Sequence, residues 1–188
     1  MLKNYLEAMK TKAKETAIKA HEGQFRKGKD DEGNPIPYVQ HPIAVAELLK
    51  KVKTSKRMEE LVAAAYLHDG IEDTDLTYEK IKEEFGDLVA DLVQELTSDP
   101  EEIKRLGKTD YLIEKMLNMS SWGLVIKLAD RAANTSDMIT ANPQFRKKYI
   151  AETQKILEAL ESNRELSGSQ KKLVRIIYNN MYRSIREL

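Results

Sequence analysis

The sequence predicts an all-α protein, and three observations carry that expectation. Apolar residues recur at steps of three and four along most of the chain. No stretch alternates convincingly with period two. The breaks between periodic segments hold cap residues, prolines and glycines in helix-boundary order. At 188 residues the chain is long enough for one domain with a sizeable core.

Leu6, Met9, Ala13, Ala17 and Ala20 place an amphipathic helix over about residues 2–22, with His21 at its end. Gly28, Gly33, Pro35 and Pro37 then predict a long loop from Gly23 to Pro42. Loops of that length are disproportionately functional. Pro42 suits the first turn of a helix whose apolar face is Ile43, Val45, Ala46, Leu48 and Leu49. The charged run 50–57 reads as a turn. Leu61 to Leu67 is almost wholly apolar and predicts a buried helix, which delivers His68-Asp69 and then Glu72-Asp73. If that helix persists past Gly70, all four face one cleft.

Thr77 reads as the N-cap of the next helix, although Lys80 holds its capping-box position. Gly86 separates it from a helix over 88–96. Asp99-Pro100-Glu101-Glu102 opens a further one, and Gly107 interrupts before another. Ser120-Ser121 starts a helix from Trp122 to about Ile139, and Pro143 a long amphipathic one. After Ser167-Gly168-Ser169, the last helix carries Leu173, Ile176, Ile177, Met181 and Ile185. The organisation expected is a single domain, residues 1–165. A C-terminal helix, 166–188, then packs on it or forms an oligomer contact such as a homodimer.

Lys+Arg and Asp+Glu balance at 31 each, for a net charge of zero. That argues against a nucleic-acid coat or a polybasic membrane binder. With no cysteine, thiolate metal sites, disulfides and cysteine nucleophiles are excluded. No apolar run approaches the ~18–20 residues of a membrane span, and the first residues lack the apolar core of a signal peptide. The expectation is a soluble, cytoplasmic protein.

Burying an ionisable group is costly unless it is paired or bound to a metal. His68 and Asp69 therefore read as metal ligands with Glu72 and Asp73 as acid/base groups, or as a satisfied core histidine beside a helix cap. Lys127, Asp130, Asn134 and Asp137 form a polar stripe at steps of three, four and three through a mostly apolar helix. It reads as a line facing a cleft, or as an internal salt bridge. His41 joins His68, Asp69 and Asp130 in an N₂O₂ set suited to Mn²⁺, Fe²⁺ or Zn²⁺. With three histidines in the chain, one metal is favoured over a dinuclear centre.

These residues stand in recognisable blocks: Gly23-Gln24-Phe25-Arg26-Lys27, Pro37-Tyr38-x-x-His41-Pro42, Leu67-His68-Asp69-x-Ile71-Glu72-Asp73-Thr74 and Lys127-Leu128-Ala129-Asp130-Arg131. Over about residues 5–160 the chain resembles the HD superfamily of metal-dependent phosphohydrolases. Within it the resemblance is closest to the hydrolase domain of RelA/SpoT proteins and the small alarmone hydrolases. It implies an HD-domain helical bundle with one Mn²⁺ held by His41, His68, Asp69 and Asp130. It also implies removal of the 3′-pyrophosphate of guanosine tetra- or pentaphosphate. Glu72 and Asp73 match the pair that handles the attacking water. Arg26 matches the residue packing on the purine, Lys27 its phosphate-side neighbour, and Asn134 a nucleotide contact in the cleft. Tyr149 matches a tyrosine near the sugar or phosphates. Gly70 stands where the family has a larger residue, Asn134 lacks a preceding histidine, and the loop 29–37 is longer and more acidic. The implied partner is a small nucleotide, not a nucleic acid or a membrane. Other readings are an HD phosphohydrolase of another nucleotide, such as an NADPH 2′-phosphatase, or a nucleotide-binding module with a structural metal.

Overall fold

The most apolar run in the chain becomes its most enclosed helix. α3, Met58–Leu67, buries every residue from Glu60 to Leu67. A helix apolar all round must be covered on all sides, and the preceding and following elements do this. The computed structural model describes residues 2–30 and 32–186, with side chains from residue 7 onward, so the side chain of the expected core position Leu6 lies outside the described residues. Contacts between elements define two compact units, Met1–Thr97 and Ser98–Leu188. Among the described residues the protein is all-α apart from one small hairpin.

In the first unit α1 (Leu2–Ala20), α2 (Gln40–Val52) and α6 (Asp87–Leu96) pack on α3. They contribute Ala13, Ala17, Val45, Leu49, Val89 and Val93 to its surroundings, all fully buried. α5 (Tyr78–Phe85) packs on α6 and begins where expected: Thr77 Oγ1 accepts from the Lys80 amide at 3.3 Å.

One local expectation is corrected, and one condition is resolved. The segment read as a loop contains a hairpin, in which β1 (Phe25–Lys29) pairs antiparallel with β2 (Pro35–Pro37) across an irregular register. The turn is built by Asp30, whose Oδ1 accepts from the Glu32 and Asn34 amides at 3.0 and 2.7 Å, and by Gly33 at φ +85°. The Asn34 amide and its neighbours hold the Asp30 carboxyl below its usual range. This acidic group is therefore engaged by its own turn. The condition placed on α3 is not met, because the helix stops at Leu67 and does not run past Gly70. Asp69, at φ −96° and ψ 0°, turns the chain, and a one-turn α4, Gly70–Asp73, restarts it. Gly70 has ordinary backbone angles but little room: a Cβ there would meet Leu76 Cδ1 at 2.9 Å.

The second unit is built from α7 (Pro100–Leu106), α8 (Lys108–Asn118), α9 (Ser121–Ser136), a 3-10 turn at Asp137–Thr140, α10 (Pro143–Asn163) and α11 (Gly168–Arg186). Asp99 Oδ1, Ser120 Oγ and Asn142 Oδ1 cap α7, α9 and α10 by accepting from amides of their first turns. α9 is buried along most of its length and packs on α11, while α10 packs on α8. Asn180 of α11 donates to the Ala132 carbonyl at 3.1 Å, and the Arg146 Nη1 of α10 donates to the Ser184 carbonyl at 3.2 Å. Among the described residues no helix is long and apolar enough to cross a membrane.

The enclosure of α3 has a measurable consequence. Leu61→Ala, at a fully buried site, is expected to lower unfolding free energy by about 2–5 kcal/mol. Ile18→Ala, 45% exposed on α1, is expected to change it by less than about 0.5 kcal/mol. Urea denaturation of both variants checks the contrast.

Candidate metal centre

His68 sits at the C-cap of α3, where the last carbonyls of a helix lack intrahelical donors. Its Nδ1 lies 2.9 Å from the Ala65 carbonyl oxygen. A carbonyl can only accept, so Nδ1 carries a proton, and Nε2 is the ring nitrogen turned to other partners. That Nε2 is 3.1 Å from Asp69 Oδ2. His41, in the first turn of α2, brings its Nε2 to 3.8 Å from the same oxygen. The two imidazoles meet edge to face with centroids 5.2 Å apart, and each offers a ring nitrogen within 4.8 Å of the other.

Both histidines are buried, at 4% and 1% exposure, and the Asp69 side chain is 15% exposed. A lone pair facing a carboxylate oxygen at 3.1 Å is repulsive unless a proton or a cation lies between them. Two imidazole nitrogens converging on one carboxylate oxygen are a donor set that a divalent transition ion fits, with the His68 proton fixed by a backbone carbonyl as metal-ligating histidines commonly have it.

Asp69 occupies the N-cap position of α4, yet its side chain does not cap the helix. The backbone closes that turn instead: the Asp73 amide donates to the Asp69 carbonyl at 2.9 Å. Thr74 Oγ1 donates to the Gly70 carbonyl at 2.6 Å. The Asp69 carboxylate is thereby left for other partners. Glu72 and Asp73 lie on this turn with exposed side chains. Arg26 and Lys27 stand on β1, the first half-buried and the second exposed.

Sequence reasoning missed three residues here. Tyr38 Oη donates to Asp69 Oδ2 at 2.7 Å and lies 3.2 Å from Asp73 Oδ2. Burial, and then the Asp69 and Asp73 charges, push its hydroxyl well above the usual tyrosine range, so it remains a donor. His21, left over by the sequence, stacks on Tyr38 with centroids 4.8 Å apart. Gln24 Nε2 donates to the Asp73 carbonyl at 2.8 Å, which turns its Oε1 to the His21 Nδ1, also at 2.8 Å. The signal for Tyr38 was its place in the Pro-Tyr-x-x-His-Pro block. For Gln24 and His21 no periodicity marks the contact.

In the second unit Asp130 is buried on α9, with Asn134 Nδ2 donating to its Oδ1 at 2.7 Å and Lys127 Nζ 3.1 Å from its Oδ2. The polar stripe thus becomes a bonded row over three of its members, while Asp137 is exposed at the 3-10 turn. The ion pair that sequence reasoning allowed for Asp130 comes from its own helix. Tyr149, on α10, lies under the Arg131 guanidinium at 5.2 Å and stacks with Phe145 at 6.0 Å. Burial raises its hydroxyl above the usual range, against the pull of Arg131. Arg131 is itself buried, donating to Thr153 Oγ1 at 2.8 Å and facing Glu152 at 3.5 Å.

Residues 13–165 match the family model described as HD domain. A guanosine-3′,5′-bis(diphosphate) 3′-pyrophosphohydrolase of Haemophilus influenzae is 36% identical over 143 residues, 73% of this chain but 20% of its own length. This chain therefore spans about a fifth of that relative. The human guanosine-3′,5′-bis(diphosphate) 3′-pyrophosphohydrolase MESH1 is 31% identical over 167 residues, 86% of this chain and 90% of its own. A solved structure described as a metazoan ortholog of SpoT that hydrolyzes ppGpp superposes with a TM-score of 0.73 at 28% identity, covering 92% of this chain and 95% of its own.

The buried Arg131–Glu152 pair sets a stability test. Arg131→Met leaves Glu152 without its buried counter-charge and is expected to destabilise the protein by about 3–5 kcal/mol. The double variant Arg131→Met/Glu152→Leu is expected to recover much of that loss in urea denaturation.

Proposed function

The chain belongs to the HD-domain family, and from that premise we propose that it is a metal-dependent hydrolase of guanosine 3′,5′-bis(diphosphate) and its pentaphosphate analogue, releasing pyrophosphate from the 3′ position. The observation that carries the reading is the convergence of His41 Nε2 and His68 Nε2 on Asp69 Oδ2, with Glu72 and Asp73 on the next turn. In this reading Asp130 is the fourth ligand and the ion is Mn²⁺. The relatives named above carry this activity in their names, and the Lys-Leu-Ala-Asp-Arg block lies within residues 13–165, the span matched to the HD domain.

A divalent ion in that set supplies positive charge that polarises a phosphoryl oxygen and acidifies water. The chain's own residues do the rest. Glu72 and Asp73 orient the attacking water and take its proton. The water oxygen bonds to the phosphorus on the ribose 3′-oxygen, the bond from that phosphorus to the 3′-oxygen breaks, and pyrophosphate leaves while the 3′-oxygen regains a proton. Arg26 lays its guanidinium plane on the purine, and Lys27 offsets phosphate charge. Asn134 and Tyr149 contact the nucleotide. The hydrolase domain runs over residues 1–165, and the C-terminal helix, residues 166–188, packs on it or forms an oligomer contact such as a homodimer. The enzyme works in the cytoplasm on a free nucleotide, with no nucleic-acid or membrane partner.

Glu72→Gln distinguishes catalysis from binding alone, since a structural metal site has no use for this carboxylate. The variant is expected to keep wild-type Mn²⁺ content while kcat for pyrophosphate release falls by about 10²–10⁴, whereas His68→Ala is expected to lose the metal. Metal analysis and a pyrophosphate assay read both. Unchanged turnover in Glu72→Gln refutes its role. Orthophosphate release from NADPH, with none of the guanosine nucleotide consumed, replaces the substrate.

A further inference from the structure

α4 is a single turn of four residues, too short to hold itself in water. It nonetheless carries Asp73 and follows directly on Asp69, so two carboxylates with separate proposed tasks depend on a turn that needs outside support. Polar support comes from the segment between α1 and α2. Tyr38 lies between β2 and α2, with its amide donating to the Gln24 carbonyl at 2.9 Å and its carbonyl accepting from the His41 amide at 2.9 Å. Its ring is braced by His21 at 4.8 Å and by the edge of His41 at 6.1 Å. The hydroxyl reaches Asp69 Oδ2 at 2.7 Å and Asp73 Oδ2 at 3.2 Å. Gln24 holds the same turn by its backbone, at the Asp73 carbonyl.

We infer that Tyr38 is a positioning residue that ties the proposed metal ligand Asp69 to the proposed water-handling Asp73, with Gln24 as the backbone tether of the same turn. A hydroxyl has one proton to donate, so two carboxylates sharing it are drawn together at a fixed separation, the 2.7 Å contact being the stronger. The same group that sets the Asp69 rotamer thus sets where Asp73 stands relative to it. The histidine that the metal set leaves out, His21, has a task in this arrangement: its ring and its Nδ1–H fix Tyr38 and Gln24 together. The inference rests on the hydrolase reading for the task of Asp73, while its effect on Asp69 does not.

Tyr38→Phe keeps the ring and its packing but removes the hydroxyl, and Tyr38→Ala removes both. Mn²⁺ titration, followed by the electron paramagnetic resonance of free Mn²⁺, is expected to show the Kd of Tyr38→Phe raised about 10–100-fold, as for lost outer partners of metal ligands. At saturating Mn²⁺, kcat is expected to fall at least tenfold on the order expected for a displaced catalytic group, with KM for the guanosine nucleotide unchanged. If Tyr38→Phe matches the wild type in both Mn²⁺ affinity and kcat while Tyr38→Ala alone is impaired, Tyr38 is a packing residue and the inference fails. If the wild type binds Mn²⁺ but does not turn over the nucleotide, the substrate reading falls and the Mn²⁺ titration alone decides the tie to Asp69.

Discussion

A carboxylate that is largely hidden from water, set at the end of an apolar helix, governs the first unit. Asp69 cannot be solvated there as an isolated charge without a cost of several kcal/mol. Everything arranged around it answers that cost: two imidazole nitrogens, a tyrosine hydroxyl and a backbone turn that does not need the carboxylate as a cap. α1, α2 and α6 cover α3, and by covering it they place the end of α3 where these groups meet. The same enclosure that makes α3 stable makes its terminus dry, and a dry terminus is where a donor set for a cation is worth most.

The second unit holds a buried carboxylate of its own. Asp130 lies inside a buried helix and is matched from within it, by Lys127 one turn before and Asn134 one turn after. Helical spacing alone puts these partners on one face. Arg131, the next residue, points elsewhere and is matched across to α10 by Thr153 and Glu152, with its guanidinium over the Tyr149 ring. Neighbouring charges of opposite sign on one helix thus serve separate networks, one polar row along α9 and one tie to α10.

How far the sequence could be read depended on whether the cause was local. Helix positions and caps are local, so Thr77, Asp99, Ser120 and Pro143 mark boundaries that the fold has. The meeting of His41, His68 and Asp69 was legible because the blocks that hold them are distinctive together. The hairpin was not, since glycine and proline in that density read as a loop, and β2 has only three residues with which to announce itself. The stop of α3 at Leu67 was hidden too, because neither His68 nor Asp69 is a helix breaker and Gly70, which looks like one, has ordinary angles. Tyr38 and Gln24 act over 31 and 49 residues of chain, where no spacing rule applies.

Gly70 shows what such a long-range cause does to a single position. Its missing side chain is filled by Leu76, whose methyl stands 2.9 Å from where a Cβ would be, just past the turn that Thr74 closes. The vacancy at 70 and the bulk at 76 are two halves of one volume. In any set of related chains the two positions should therefore change together: a larger residue at the first goes with a smaller one at the second. The glycine at 70 and the leucine six residues further on are fitted to each other.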